Sequence, residues 1–282
     1  MAREIQASAI TDLVAELARQ AAFFLPEDFK AKLHQLREKE TSDVGKLVID
    51  QLLANADIAS SEMVPMCQDT GMAVIFVDWG QECLLVGGTL QDAVDEGVRR
   101  AYKDHFLRKS IYLNPYKRDK NTGDNTPSIV HVKMVPGDKV HLTFAAKGGG
   151  SENMSTVRMM KPSDGIAGVK KFVKEWVKQA GGNPCPPIVV GIGIGGNFER
   201  VARMAKEAIL RPVDDVHPDP EIAALEAEFL TLVNETGVGP GGMGGTQTAA
   251  AVKLNVAPCH IATFPVAVNI QCNANRHKHG EV

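Results

Sequence analysis

Residues 183–196 read NPCPPIVVGIGIGG, and the fold class hangs on what their glycines do. Gly191, Gly193 and Gly196 fit G-x-G-x-x-G after an apolar run, the turn between the first strand and helix of a dinucleotide-binding unit. The stretch predicts a strand over 188–194, followed by a helix over NFERVARMAKEAIL. A dinucleotide fold then needs a second parallel strand ending in an acidic residue about 20 residues on. Asp214 and Asp215 lie in that region, but RPVDDVHPDP is proline-rich and leads into another helix, DPEIAALEAEFLTLVNETG. The second strand is missing. The glycines therefore need another reason, either close backbone approach or exposed N–H groups for an anion. Cys185, between Pro184 and Pro186, is the other residue of the stretch to explain.

Outward from this point the chain shows no regular βαβ rhythm. Residues 1–60 read as helices. The first, MAREIQASAITDLVAELARQAAFFLP, places Leu13, Val14, Leu17, Ala21 and Phe24 at helical spacing. PEDFKAKLHQLREKE and SDVGKLVIDQLLANADIASS follow. Strands are predicted at 72–79 and 83–88, and Thr89 is a suitable N-cap for QDAVDEGVRRAYKDHFLR. SIVHVKMV and KVHLTFAA alternate on either side of PGD, which predicts a hairpin. GIAGVKKFVKEWVKQAGG predicts an amphipathic helix with Val169, Phe172, Val173, Trp176 and Val177 on one face and Gly181 as C-cap. TAAAVKLNVAP and HIATFPVAVNI read as closing strands. The pattern indicates an α+β fold: mixed, largely antiparallel sheets flanked by helices, in a single large domain over 1–282 with a helical region at about 1–60. No repeat, low-complexity tract or linker is visible.

Bulk properties narrow the class further. The 282 residues are 44% hydrophobic and 23% charged, with a net charge of -3, which describes an ordinary soluble globular protein. Nothing favours nucleic acid: RKSIYLNPYKRDK (108–120) is a single mixed patch and reads as a solvated loop. Arg3, Glu4, Asp12, Glu16 and Arg19 interrupt any signal-peptide core, and no apolar run reaches membrane-spanning length, so the expectation is a cytoplasmic protein without membrane contact. The five cysteines (67, 83, 185, 259 and 272) include no C-x-x-C pair, which argues against a disulfide framework, a zinc ribbon or a redox dithiol.

Four segments concentrate polar chemistry. MCQDTG (66–71) sets Cys67, Gln68, Asp69, Thr70 and Gly71 ahead of a strand, where burial without partners would be costly. AKGGGSENMS (146–155) offers backbone amides for an anion or else a flexible turn. The third is the Cys185 segment, and the fourth is QCNANRH (271–277). Cys67, Cys185 and Cys272 thus sit in polar, turn-like settings. Cys83 lies in an apolar strand and reads as core, while Cys259 in APCHIA stays undecided. Three thiolates from distant segments would suit zinc or an iron–sulfur cluster.

Together CQDTG, AKGGGSEN, CPP with its glycine-rich strand, NETGVGPGGMGG and CNANRH closely resemble the class I fumarases and L-tartrate dehydratases, the iron–sulfur hydro-lyases. The match runs in order from about Met66 to Arg276. The resemblance implies a 4Fe–4S cluster on Cys67, Cys185 and Cys272, with one iron left open as a Lewis acid; four cysteines would favour electron transfer instead. It implies reversible hydration of fumarate to L-malate, with L(+)-tartrate dehydration to oxaloacetate as the alternative. A catalytically silent iron–sulfur or zinc scaffold is the reading outside that class.

For a small dicarboxylate the resemblance assigns substrate contact to Gln68, Arg108 and Gly149, and proton transfer to Asp69, which could instead merely cap its turn. His260 in PCHIA is a further candidate for orienting carboxylates. Because the chain ends soon after Cys272, the expectation is a separate α subunit that needs a β subunit, in an α2β2 assembly.

Overall fold

The computed structural model describes residues 2–282. In chain order the elements run β1 (Arg3–Gln6), α1 (Ala7–Phe23), α2 (Glu27–Lys39), α3 (Asp43–Glu62), β2 (Met72–Gly80), β3 (Cys83–Val86), α4 (Leu90–Asp104), β4 (Ile129–Val135) and β5 (Val140–Lys147). They continue with α5 (Gly149–Asn153), β6 (Thr156–Met160), α6 (Gly165–Ala180), β7 (Ile188–Gly196), α7 (Phe198–Ala208), α8 (Pro220–Asn234), β8 (Ala249–Cys259), β9 (Phe264–Gln271) and β10 (His277–Glu281). The fold is α+β, with mixed sheets and helices around them. Two compact units form: residues 2–26, Ala56–Gly149 and Arg276–Val282 in one, Glu27–Asn55 and Gly150–Asn275 in the other.

In the first unit a four-stranded sheet runs in the order β10-β5-β2-β4. Alternation decides which side chains it buries: Ala73, Ile75, Val77 and Trp79 of β2 and Leu142 and Phe144 of β5 enter one core. Val14 and Leu17 of α1, with Val94, Val98 and Tyr102 of α4, close that core. Thr89 caps α4 as predicted, its Oγ1 accepting the Asp92 N–H at 3.1 Å. The helix stops at Asp104, short of the predicted Arg108, and Phe106 adopts left-handed backbone at φ 54°. The N-terminus also departs from the all-helical expectation. Arg3–Gln6 form a strand that pairs in parallel with β3, burying only Ile5, too short a signal for periodicity to reveal.

The predicted hairpin does not form. β4 and β5 both exist, but β2 lies between them, parallel to β4 and antiparallel to β5. The PGD segment arches over the end of β2: Gly80 N–H donates to Lys139 O at 2.9 Å, and Gln81 N–H to Val135 O at 2.8 Å. The turn chemistry was legible, but the span was not. A more apolar third strand, buried along most of its length, takes the central place.

The second unit carries a sheet ordered β6-β9-β7-β8. Val169, Phe172, Val173 and Val177 of α6, with Phe229 and Val233 of α8, pack against Val190, Ile192 and Ile194 of β7. α7 covers the opposite face, where Val201 and Ala205 meet Ala267. β7 is buried along almost its whole length, as its unbroken apolar run demands. Its glycines serve that packing. A Cβ on Gly191 would sit 2.1 Å from Ala205 O, and one on Gly193 2.3 Å from Val201 O, so only glycine lets α7 lie on the strand. β8 pairs with β7 in parallel, but only after both α7 and α8 have intervened.

Candidate active site

In the first unit the residues CQDTG lead into β2, and β5 ends beside them because Met72 pairs with Lys147. Asp69 is the hub of this corner. Its Oδ1 accepts the Gly71 N–H at 3.0 Å, closing the turn, and its Oδ2 accepts the Gly149 N–H at 2.7 Å. Arg108 Nη2 lies 3.4 Å from Oδ1, and Thr70 Oγ1 donates to Arg108 O at 2.6 Å. The buried Arg276 donates through Nη1 to the Asp69 carbonyl. Gln68 and Gly149 are exposed, and the Arg108 side chain is 50% exposed. The structure therefore brings Gln68, Asp69, Arg108 and Gly149 into one corner. It also shows Asp69 closing its own turn and holding the glycine loop.

Three residues that support this corner were not singled out from sequence. The buried Tyr102 donates its hydroxyl to Thr70 O at 2.7 Å, and burial pushes its phenol above the ordinary value. Asn125, fully buried, donates to Gly71 O at 3.1 Å and accepts the Ser110 N–H at 2.8 Å. Arg276 is the third. Only Arg276 carried a signal, inside the polar CNANRH cluster; a tyrosine on an apolar helix face and an asparagine in a loop carry none.

The second unit holds the other two candidate ligands at one end of its sheet. Cys185 is exposed, between buried Pro184 and Pro186, with left-handed backbone at φ 57°. Its carbonyl accepts both the main-chain N–H of Asn273, at 3.1 Å, and the side-chain Nδ2, at 2.9 Å. The residue after Cys272 is thus tied to Cys185, and the strands behind them pair Val189 with Gln271. His260 lies elsewhere. Gly196, the far end of β7, pairs with Cys259, so His260 is roughly 26 Å along the sheet from the Cys185 end at the usual strand rise. There its Nδ1 accepts the Ala262 N–H at 3.1 Å.

All five cysteines are thiols, none in a disulfide, and Cys83 packs against the first core as expected. Among the described residues no three His, Cys, Asp or Glu side chains form a metal-holding group. Cys67 belongs to the first unit, Cys185 and Cys272 to the second. Paired sulfur donors on a tied platform are the soft ligand type that iron–sulfur chemistry uses, so the residues present fit the group. Among the described residues no helix is long and apolar enough to cross a membrane.

The fumarate hydratase (fumarase) family profile matches residues 11–281. The chain belongs to this family, which makes it a chain of a hydro-lyase. Relatives bear a narrower name. A protein of Methanocaldococcus jannaschii named putative L(+)-tartrate dehydratase subunit alpha is 41% identical over 275 residues, covering 95% of each chain. The L(+)-tartrate dehydratase α subunits of Escherichia coli K12 and Shigella sonnei are 33% identical over 269 residues, covering 95% of this chain and 88% of theirs.

Proposed function

We propose that this chain is the α subunit of a two-subunit, cytoplasmic iron–sulfur hydro-lyase that dehydrates L(+)-tartrate to oxaloacetate, in preference to acting on malate or fumarate. The observation that carries the substrate choice is the match, over nearly the full length of both chains, to proteins named L(+)-tartrate dehydratase subunit alpha. The thiol state of all five cysteines accords with a reducing compartment.

Dehydration breaks a C–O bond at one carbon and a C–H bond at its neighbour, and leaves an enol that becomes the keto acid. In this reading Cys67, Cys185 and Cys272 hold a 4Fe–4S cluster, which when bound supplies Lewis acidity toward the departing hydroxyl. The chain's own groups bind and orient the substrate. The half-exposed Arg108 guanidinium offers paired donors to a carboxylate, and the exposed Gln68 amide adds a hydrogen bond beside it. Asp69 takes the proton at Oδ1, the oxygen with the longer contacts, while Oδ2 stays on the Gly149 N–H. Gly149 thereby acts on the base as well as beside the substrate.

Anaerobic co-expression with the cognate β subunit tests this, with steady-state kinetics on L(+)-tartrate, L-malate and fumarate. Tartrate should give the highest kcat/KM, by about tenfold or more, since even one small group gained or lost in a pocket is worth about 10- to 200-fold. A higher kcat/KM for malate or fumarate would restore the fumarase reading.

A further inference from the structure

Glu40, at the end of α2, is buried with 2% of its surface exposed, yet it is not part of the proposed catalytic corner. Its Oε1 accepts the N–H groups of Thr41 and Ser42 at 2.8 and 2.9 Å. From the other side it takes the Thr246 N–H at 3.0 Å, the Thr246 hydroxyl at 3.2 Å and the Gln247 N–H at 2.8 Å. Converging backbone N–H groups of this kind form a nest for an anion, and here the anion is supplied by the chain itself. Thr246 and Gln247 close the glycine-rich loop 237–247.

That loop carries the Cys185 turn on both flanks. On one side the Gly241 N–H donates to Pro186 O at 2.9 Å. On the other, Gly242 packs so closely on Gly182 that an added Cβ would lie 2.4 Å from the Gly182 Cα. Gly182 O in turn accepts the Cys185 N–H at 3.0 Å. A continuous path of backbone contacts therefore runs from the Glu40 carboxylate to the backbone that bears the thiol.

We infer that Glu40 is a positioning residue for Cys185: its carboxylate sets the 237–247 loop, and the loop sets the direction of the ligand turn. The inference rests on the assignment of Cys185 as a cluster ligand. Two variants of the full chain, co-expressed with its β subunit, test it. E40Q keeps the shape but puts an amide NH2 among N–H donors, and E40A empties the nest. Both should retain iron and sulfide about tenfold less well than wild type, the scale on which a residue supporting a metal ligand acts. In the metal-free chain, iodoacetamide should label Cys185 at a changed rate in both variants, while exposed Cys259 at the far end of the sheet stays unchanged. Formate, a free carboxylate that fits the emptied nest, should restore the Cys185 rate in E40A.

Wild-type iron retention and an unchanged Cys185 rate in both variants would overturn the inference. So would iron loss that only follows loss of the whole fold and that formate leaves unrelieved. The two readings fail separately. A wild-type complex that takes up no iron refutes the cluster assignment, whereas the labelling rate in the metal-free chain judges Glu40 by itself.

Discussion

The two four-stranded sheets share one spatial arrangement, although the outer fourth strand comes last in the chain in one (β10) and precedes the central strand in the other (β6). Each has a central strand (β2 or β7), then a parallel neighbour reached by a crossover (β4 or β8), then an antiparallel neighbour on the other side (β5 or β9), with an antiparallel fourth strand outside it. The equivalence extends to the motifs. Cys67 precedes β2 and Cys185 precedes β7, while GGGS follows β5 and CNANR follows β9, at the matching sheet end. What differs is cover. β2 sends large side chains into the core under α1 and α4, whereas β7 alternates glycine with valine and isoleucine so that helices can pack on both faces. The same strand arrangement thus tolerates strands of unlike composition and a different chain order for the outer strand, which is why no repeat is visible in the sequence.

The largest effect tests that equivalence directly. C67S, C185S and C272S should each reduce cluster content and dehydratase activity to background, with C83S and C259S near wild type, as read by iron and sulfide analysis. A C67S variant with full cluster loading would break the parallel between the two sheets.

Packing comes next. I75A should cost about 2–5 kcal/mol as a large-to-small core change in the first unit. G193V, driven against Val201 O, should cost about 3 kcal/mol by overpacking in the second. Urea midpoints measure both, and a neutral G193V would show that β7 does not need its glycines.

Y102F should cost about 1–3 kcal/mol, by leaving the buried Thr70 carbonyl without its donor, and should raise the tartrate KM.

A smaller, pH-dependent effect belongs to Glu40. Burial pushes its carboxyl up, but the N–H groups of Ser42, Thr246, Gln247 and Thr41 outweigh this and hold it below the ordinary value of 4.5. A depressed carboxyl contributes stability above the unfolded-state pKa, and that contribution is lost as pH falls through the folded one. The Tm gap between wild type and E40Q should therefore be constant near neutrality and shrink below about pH 4.5. A gap that widens with acid would contradict the nest. Smallest of all, K171A should change stability by less than about 0.5 kcal/mol, because its 3.9 Å pairing with Glu175 is exposed.

Much of this architecture was legible where the signal is local. The Thr89 cap, the buried face of α6 and the Gly181 C-cap follow from spacing and residue type. Strand positions were legible as well, but pairing was not. A PGD turn looks the same whether it joins neighbours or crosses a third strand, and the choice depends on how β2 competes for the centre. Of the candidate residues that motif resemblance assigns, Gln68, Asp69, Arg108 and Gly149 share a corner. His260 is a candidate on its local PCHIA sequence alone, and it lies at the other end of its sheet from Cys185 and Cys272, since local sequence records neighbours along the chain and not which end of a strand they occupy. Tyr102, Asn125 and Glu40 act through buried hydrogen bonds to backbone, and such partners are far away in sequence.

The order of synthesis follows from one strand. β10 covers the outer edge of β5, with His277 opposite Ala145, although most of its unit is built from residues before Gly149. On the ribosome, β5 must therefore wait with a bare edge while residues 150–275, most of the second unit, are translated. That edge is a row of unpaired N–H and C=O groups on a strand whose face carries Leu142 and Phe144, the kind of apolar strand that recruits a second chain when left open. The nascent protein is most vulnerable to mispairing during that interval, and it ends only when residue 281 has cleared the exit tunnel.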